Sequence, residues 1–129
     1  MTVLVGFVPT PEARAALDAG IAEAARRGEG VLVLNSSRGG APVSVEVADE
    51  DTLSDIGARA EKAGVAVEIR QVTREGEVAD EVLRVAREVD ASVIVIGLRK
   101  RSPVGKLLMG SSAQRILLDA DRPVLAVKP

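Results

Sequence analysis

The sequence predicts one α/β domain, residues 1–129, built on an open, doubly wound parallel sheet with helices on both faces. The chain has 129 residues, the usual size of a single domain. Short runs rich in Val, Ile and Leu alternate with longer amphipathic stretches, which is typical of βαβ units. Apolar residues make up 47% of the chain and charged residues 28%, so it contains enough apolar surface to form a buried core.

Five apolar runs predict the strands, at residues 3–8, 31–35, 65–72, 92–97 and 123–127. Four of them are almost continuous in Val, Ile and Leu, as expected for parallel strands covered on both faces. The run at 65–72 begins with alternating apolar and polar residues, which favours a strand at an edge of the sheet.

Four stretches with a 3.6-residue apolar period predict the helices between these strands. Pro11 suits the first turn of the first helix, and Gly28 stands where a left-handed C-cap would end it. The second helix begins in the acidic segment 49–51 and ends at Gly64. The apolar stripes comprise Ala13, Leu17, Gly20, Ile21 and Ala24; Leu53, Ile56, Ala60 and Ala63; Val78, Val82, Val85, Ala86 and Val89; and Ala113, Ile116, Leu117 and Ala120.

Connections between parallel strands are right-handed crossovers, so five strands and four helices favour an open doubly wound sheet, for which we choose the order 3-2-1-4-5. Such a sheet reverses direction between strands 1 and 4, and ligands bind in the crevice outside the carboxyl ends of the strands at that point. The connection after strand 1, at Val8 and Pro9, and the connection after Ile96 are therefore predicted to line the crevice.

The composition excludes several classes of function. The chain has no Cys and no His, so it has no disulfide, no thiolate nucleophile and no imidazole base, and it is not a Ser-His-Asp or Cys-His hydrolase. The acids of segment 46–55 surround a predicted helix N-terminus, where acids are favourable without a metal, so we expect no intrinsic metal.

Charge and aromatic content bear on the partners. Phe7 is the one aromatic residue and the formal net charge is −2, so we expect no nucleic-acid partner. No run approaches the length of a membrane span, and the chain enters an apolar strand without a basic leader, so we expect a cytoplasmic protein without a membrane partner.

The segment 97–112 is the candidate binding loop. Gly97 lets the chain leave strand 4 sharply, and Gly110, Ser111 and Ser112 lead into the fourth helix, where free N–H groups and the helix dipole favour a phosphate. Arg99 and Lys100 lie nearby, and no acid occurs from residue 97 to 114. An ordinary solvated loop is the alternative, since basic runs are common on surfaces. The Walker and G-x-G-x-x-G patterns are absent.

Together with the segments 74–82 and 122–127, this loop resembles the universal stress protein family over essentially the whole chain. ATP-binding members carry G-x2-G-x9-G-[ST], which here reads Gly97, Lys100, Gly110 and Ser111. The resemblance implies a homodimer, with ATP or AMP over strands 1 and 4 and its phosphates on the Gly-Ser helix start.

Three positions depart from the family pattern. Val8 replaces a frequent Asp, and Ser36 lies where an apolar residue often contacts adenine. Lys100 replaces the second motif glycine, so its side chain either supplies a cation to a phosphate or fills the space where the backbone should approach it.

Three functional hypotheses follow. The first is a non-enzymatic stress-response module that binds an adenine nucleotide or phosphate, and the second is a dimer that has lost the nucleotide and acts through protein partners. The third is a weak ATP-hydrolysing enzyme, although the loop lacks the carboxylate that usually holds the metal in phosphoryl transfer.

In the chosen sheet order the last strand lies at an edge of the sheet, and it is predicted to pair with a second copy across a two-fold axis. Its residues are Val124, Leu125, Ala126 and Val127.

Overall fold

The computed structural model describes residues 1–7, 11–36, 50–72, 78–98 and 111–128. The elements in this part of the chain are β1 (Thr2–Phe7), α1 (Pro11–Arg27), β2 (Gly30–Ser36), α2 (Glu50–Ala63), β3 (Val67–Val72), α3 (Val78–Glu88), β4 (Ala91–Gly97), α4 (Ser111–Asp119) and β5 (Val124–Val127). All strand pairs are parallel, in the order β3-β2-β1-β4-β5. The predicted doubly wound α/β fold is confirmed.

The sheet separates two apolar cores. Val5 of β1 packs on one face with Leu17 of α1 and Ile56 of α2. Leu4, its neighbour in β1, packs on the opposite face with residues of α3 and with Ile116 of α4. Because successive strand residues point to opposite faces, a strand covered on both sides needs apolar residues at consecutive positions. The continuous Val, Ile and Leu runs of the sequence result from this burial on both faces.

Glycine ends the first two helices. Gly28 has a φ of +68° and follows α1, as the sequence predicts. Gly64 has a φ of +73°, and after it the N–H of Val65 donates to the carbonyl oxygen of Ala60 at 2.9 Å, which completes a Schellman cap on α2. The predicted start of the third strand at residue 65 is therefore wrong. Val65 is buried as part of the helix cap, and β3 begins at Val67.

The apolar stripes of the sequence predict buried helix positions, and this prediction is wrong for two residues. Ala63, the last residue of α2, is exposed. Leu117 in α4 is 38% exposed, although Ile116 before it is buried. Consecutive helical residues are separated by about 100° around the axis, so the side chain after Ile116 points away from the sheet. The face that α4 buries is narrower than its apolar stripe.

Ion pairs join neighbouring helices on each face of the sheet. Arg59 of α2 donates to Asp18 of α1 at 2.6 Å and also pairs with Asp55 at 2.9 Å. The hydrogen bond to Asp18 is the main reason that the pKa of Arg59 is raised. On the other face, Arg115 of α4 pairs with Asp80 of α3 at 2.5 Å. These side chains are about half exposed, so each pair contributes about 1 kcal/mol or less to stability.

Candidate functional site

The connections that follow β1 and β4 lead to opposite faces of the sheet. After β1 the chain continues into α1, which packs on one face of the sheet, and after β4 it continues into α4, which packs on the other. β1 and β4 are neighbours in the sheet, so the two connections diverge from adjacent strand ends. This divergence defines the crevice of a doubly wound fold, and the sequence predicts its place correctly.

The strand ends at this crevice lie at one level. Val5 is in register with Val95, so the ends of β1 at Phe7 and of β4 at Gly97 each lie two residues further on. Phe7 is also in register with Asn35 of β2, one residue before that strand ends. The carboxyl ends of three adjacent strands therefore form a common edge.

The start of the connection after β4 is fixed against the neighbouring strand. Gly97 is half-buried, and the N–H of Leu98 donates to the carbonyl oxygen of Val127 in β5 at 2.8 Å. The Leu98 side chain is buried. The predicted site residue Gly97 thus ends a strand whose exit from the sheet is held by both a hydrogen bond and apolar packing.

The N-terminus of α4 carries no negative charge. The helix begins at Ser111, Ser112 is half-buried, and the first turn has no acidic residue. Arg115 lies further along and pairs with Asp80 at 2.5 Å and with Asp119, at the opposite end of α4, at 3.6 Å. The first N–H groups of a helix have no acceptor within the helix, and the helix dipole makes this end partly positive. The start of α4 is therefore suited to an anion.

The structure places four of the predicted crevice and loop residues. Ser36 ends β2, Gly97 ends β4, and Ser111 and Ser112 begin α4. Ser36 and Gly97 lie at the same edge of the sheet with β1 between them. The other predicted residues, which lie outside the described part of the chain, are Val8, Pro9, Arg99, Lys100 and Gly110.

Asn35 is a residue of this edge to which the sequence analysis assigns no function. Its side chain is 3% exposed, and among the described residues it is the one polar side chain that is buried. Its Oδ1 atom has no hydrogen-bond partner. The sequence does contain a signal. Val31, Val33 and Asn35 alternate along β2 and so share one face of the sheet, and Asn35 is the polar member of this set.

Two searches of the described residues complete the account of the site. They contain no group of three or more acidic side chains placed to hold a metal ion. In the same part of the chain, no helix has both the length and the apolar character needed to cross a membrane.

The fold and the helix start at the crevice define an α/β domain of the class that binds ligands at the carboxyl edge of its sheet. The family model described as "Universal stress protein family" matches residues 1–128. A universal stress protein of Mycolicibacterium smegmatis is 45% identical over 127 residues, which cover 98% of this chain and 97% of that protein. The chain belongs to the universal stress protein family.

Solved structures of the same family agree in fold. The structure of a universal stress protein from Archaeoglobus fulgidus has a TM-score of 0.83 and 36% identity, with 99% of this chain and 98% of that chain covered. The structure of the universal stress protein from the same organism in complex with dAMP has a TM-score of 0.74 and 31% identity, with the same coverage of the two chains.

Proposed function

We propose that this protein binds an adenine nucleotide in the crevice between β1 and β4, with the phosphate at the N-terminus of α4, and acts as a non-enzymatic stress-response module. The observation that carries the proposal is the start of α4: two serines and no acid, at the edge where β1 and β4 end. The Archaeoglobus fulgidus relative in complex with dAMP supports the choice of an adenine nucleotide.

The physical basis is the polarity of the helix end. A phosphate at the start of α4 would accept hydrogen bonds from backbone N–H groups that have no partner within the helix. Serine hydroxyls are small enough to leave those groups accessible and can donate additional hydrogen bonds. Because the first turn holds no carboxylate, the phosphate meets no negative charge from the helix.

The non-enzymatic part of the proposal rests on the available chemical groups. The chain has no His or Cys to act as a base or nucleophile. In α4 the acid is Asp119, the last residue of the helix, far from the proposed phosphate position. Binding that sets the state of the protein, rather than rapid turnover, is the function these groups support.

Titration calorimetry with AMP, ATP and inorganic phosphate tests the proposed site. We expect the wild type to bind, and we expect Ser112→Asp to weaken AMP binding about tenfold or more, because it places a carboxylate beside the phosphate. An acid in the first turn stabilises a helix, so this loss would not result from unfolding. Leu118→Asp is the matched control: it adds the same charge near the other end of α4, at a side chain that is 83% exposed.

The control variant should bind AMP with nearly the wild-type affinity. The proposal is overturned if the wild type binds none of the three compounds at millimolar concentration. It is also overturned if the two aspartate variants bind AMP equally well.

We also propose that the protein is a homodimer formed through β5. This strand has four residues and lies at an edge of the sheet, where its partner among the described strands is β4. An edge strand leaves backbone N–H and carbonyl groups available for pairing with a second copy. Leu125 in its centre is 37% exposed, so a second copy paired along this edge would contact its side chain.

Light scattering tests this assembly. We expect a mass of two chains for the wild type at micromolar concentration and of one chain for Leu125→Asp, because the substitution brings two carboxylates together near the two-fold axis. Leu118→Asp again serves as the control and should remain dimeric. A monomeric wild type, or a Leu125→Asp protein that stays dimeric, would contradict the proposal.

A further inference from the structure

The side chain of Asn35 is out of place in an apolar core. It is 3% exposed, whereas the other buried side chains of the described residues are apolar. Its Oδ1 atom accepts no hydrogen bond. A buried carbonyl oxygen without a donor destabilises the folded state, and unpaired groups of this kind are rare in native proteins. An amide kept in such a position requires a reason that the packing alone does not supply.

The position of Asn35 connects it with the crevice. It lies in register with Phe7 at the end of β1 on one side and with Gln71 of β3 on the other. Neighbouring strands are about 4.8 Å apart, so its backbone lies about 5 Å from the end of β1 and about 10 Å from the end of β4. A nucleotide with its phosphate at α4 would extend its base over β1 towards this amide.

The face on which Asn35 lies fits the same orientation. Alternation along β2 places it in the row of Val31 and Val33, which pack in the core beneath α1. The proposed phosphate position belongs to α4, which packs on the opposite face. A ligand that spans the crevice from one face to the other would therefore have its phosphate at the α4 end and its base at the Asn35 end.

We propose that the carboxamide of Asn35 binds the adenine base and selects it over other purines. This inference rests on the proposed function, because it requires a nucleotide in the crevice. At its N7 edge adenine has the exocyclic amino group, a donor, beside the ring nitrogen N7, an acceptor, and an Asn carboxamide pairs with both through its Oδ1 and its NH2 group. Hypoxanthine and guanine have two acceptors at this edge, O6 and N7, so neither orientation of the carboxamide pairs with both atoms.

The test is titration calorimetry of the full chain with AMP, IMP and ribose 5-phosphate, comparing the wild type with Asn35→Leu. Leucine is close to asparagine in size and has no polar side-chain atom. We expect the wild type to prefer AMP to IMP by about tenfold or more, and the substitution to weaken AMP binding roughly ten- to hundred-fold. Affinity for ribose 5-phosphate should not change, since that compound has no base.

Thermal unfolding separates a binding role from a structural role. Asn35→Leu removes an unpartnered buried acceptor, so the melting temperature without ligand should stay the same or rise. Gln71→Leu is the matched control: it also replaces a carboxamide by an apolar side chain at the same level of the sheet, at an exposed position one strand further from the crevice. It should leave both the AMP affinity and the preference over IMP intact.

Each outcome decides the inference. Unchanged AMP affinity and preference in Asn35→Leu would overturn the role of Asn35 and leave the nucleotide site standing. A wild type that binds none of these compounds, nor ATP or inorganic phosphate, would overturn the proposed function, and this inference with it. If Asn35→Leu does not fold, the same ratio of AMP to IMP affinity is measured on Asn35→Ala, and retention of the wild-type ratio there would overturn the inference.

Discussion

Replacement of Gly20 by alanine is expected to lower the free energy of unfolding by about 1 to 2 kcal/mol, the net of overpacking and a better helix propensity. A Cβ atom at Gly20 in α1 would overlap the side chain of Val5 and would also touch Val95 at 3.8 Å. Val5 is fully buried in β1, the central strand, and its branched side chain has little freedom to move aside. Glycine at this position lets α1 lie close against the sheet.

Gly57→Ala in α2 is the matched control. It is also a glycine inside a helix, but a Cβ atom there would meet nothing within 4 Å. Only the gain in helix propensity remains, so this variant should be more stable than the wild type by up to about 1 kcal/mol. Urea denaturation followed by circular dichroism measures both values. Equal stability changes in the two variants would show that the contact between α1 and β1 does not require glycine.

Gly20 illustrates how far the sequence reaches towards the fold. Its place in the apolar stripe of α1 predicts that it faces the sheet, and the structure confirms that it is buried. The sequence cannot show how closely the helix approaches, because that distance depends on side chains of β1 and β4 which are remote along the chain. Local periodicity determines the direction in which a residue points, whereas tertiary packing determines the space available to it.

The cover on both faces of the sheet was predictable for a related reason. Runs such as residues 31–34 have no polar alternation, which favours parallel strands with helices on both faces. The strand order was a choice among those that right-handed crossovers allow, and the structure confirms it. The element ends were less predictable. Val65 has a β-branched side chain that favours a strand, yet its N–H caps α2. The sequence alone does not distinguish a buried residue of a helix cap from the first residue of a strand.

The sequence predicts the helix start of the candidate site, and it does not single out Asn35. A glycine followed by two serines at a helix start is a local pattern, so one sequence is enough to recognise it. The significance of Asn35 is not local, because an amide at the end of an apolar strand usually finds a partner in the folded chain. Only the structure shows that its Oδ1 atom has none.

Replacement of Lys100 by glycine is expected to weaken ATP binding about tenfold or more, in the range of a lost charge-assisted hydrogen bond. Lys100 lies outside the described residues, and the expectation comes from its place in the basic loop that leads to the start of α4. An ammonium group there would add its charge to the partial positive charge of the helix end. The family motif has glycine at this position, so the variant also restores the family pattern.

The matched control for this substitution is Lys62→Gly, which removes the same charge in the last turn of α2, before β3 begins and so at the opposite edge of the sheet. Calorimetry with ATP on both variants should show a loss of affinity for Lys100→Gly alone. A gain of affinity would contradict the expectation and show that the lysine side chain obstructs the phosphates. In that case the second hypothesis, a dimer that has lost its nucleotide and acts through protein partners, would account better for the natural sequence, because glycine at this position would recover a site that lysine closes.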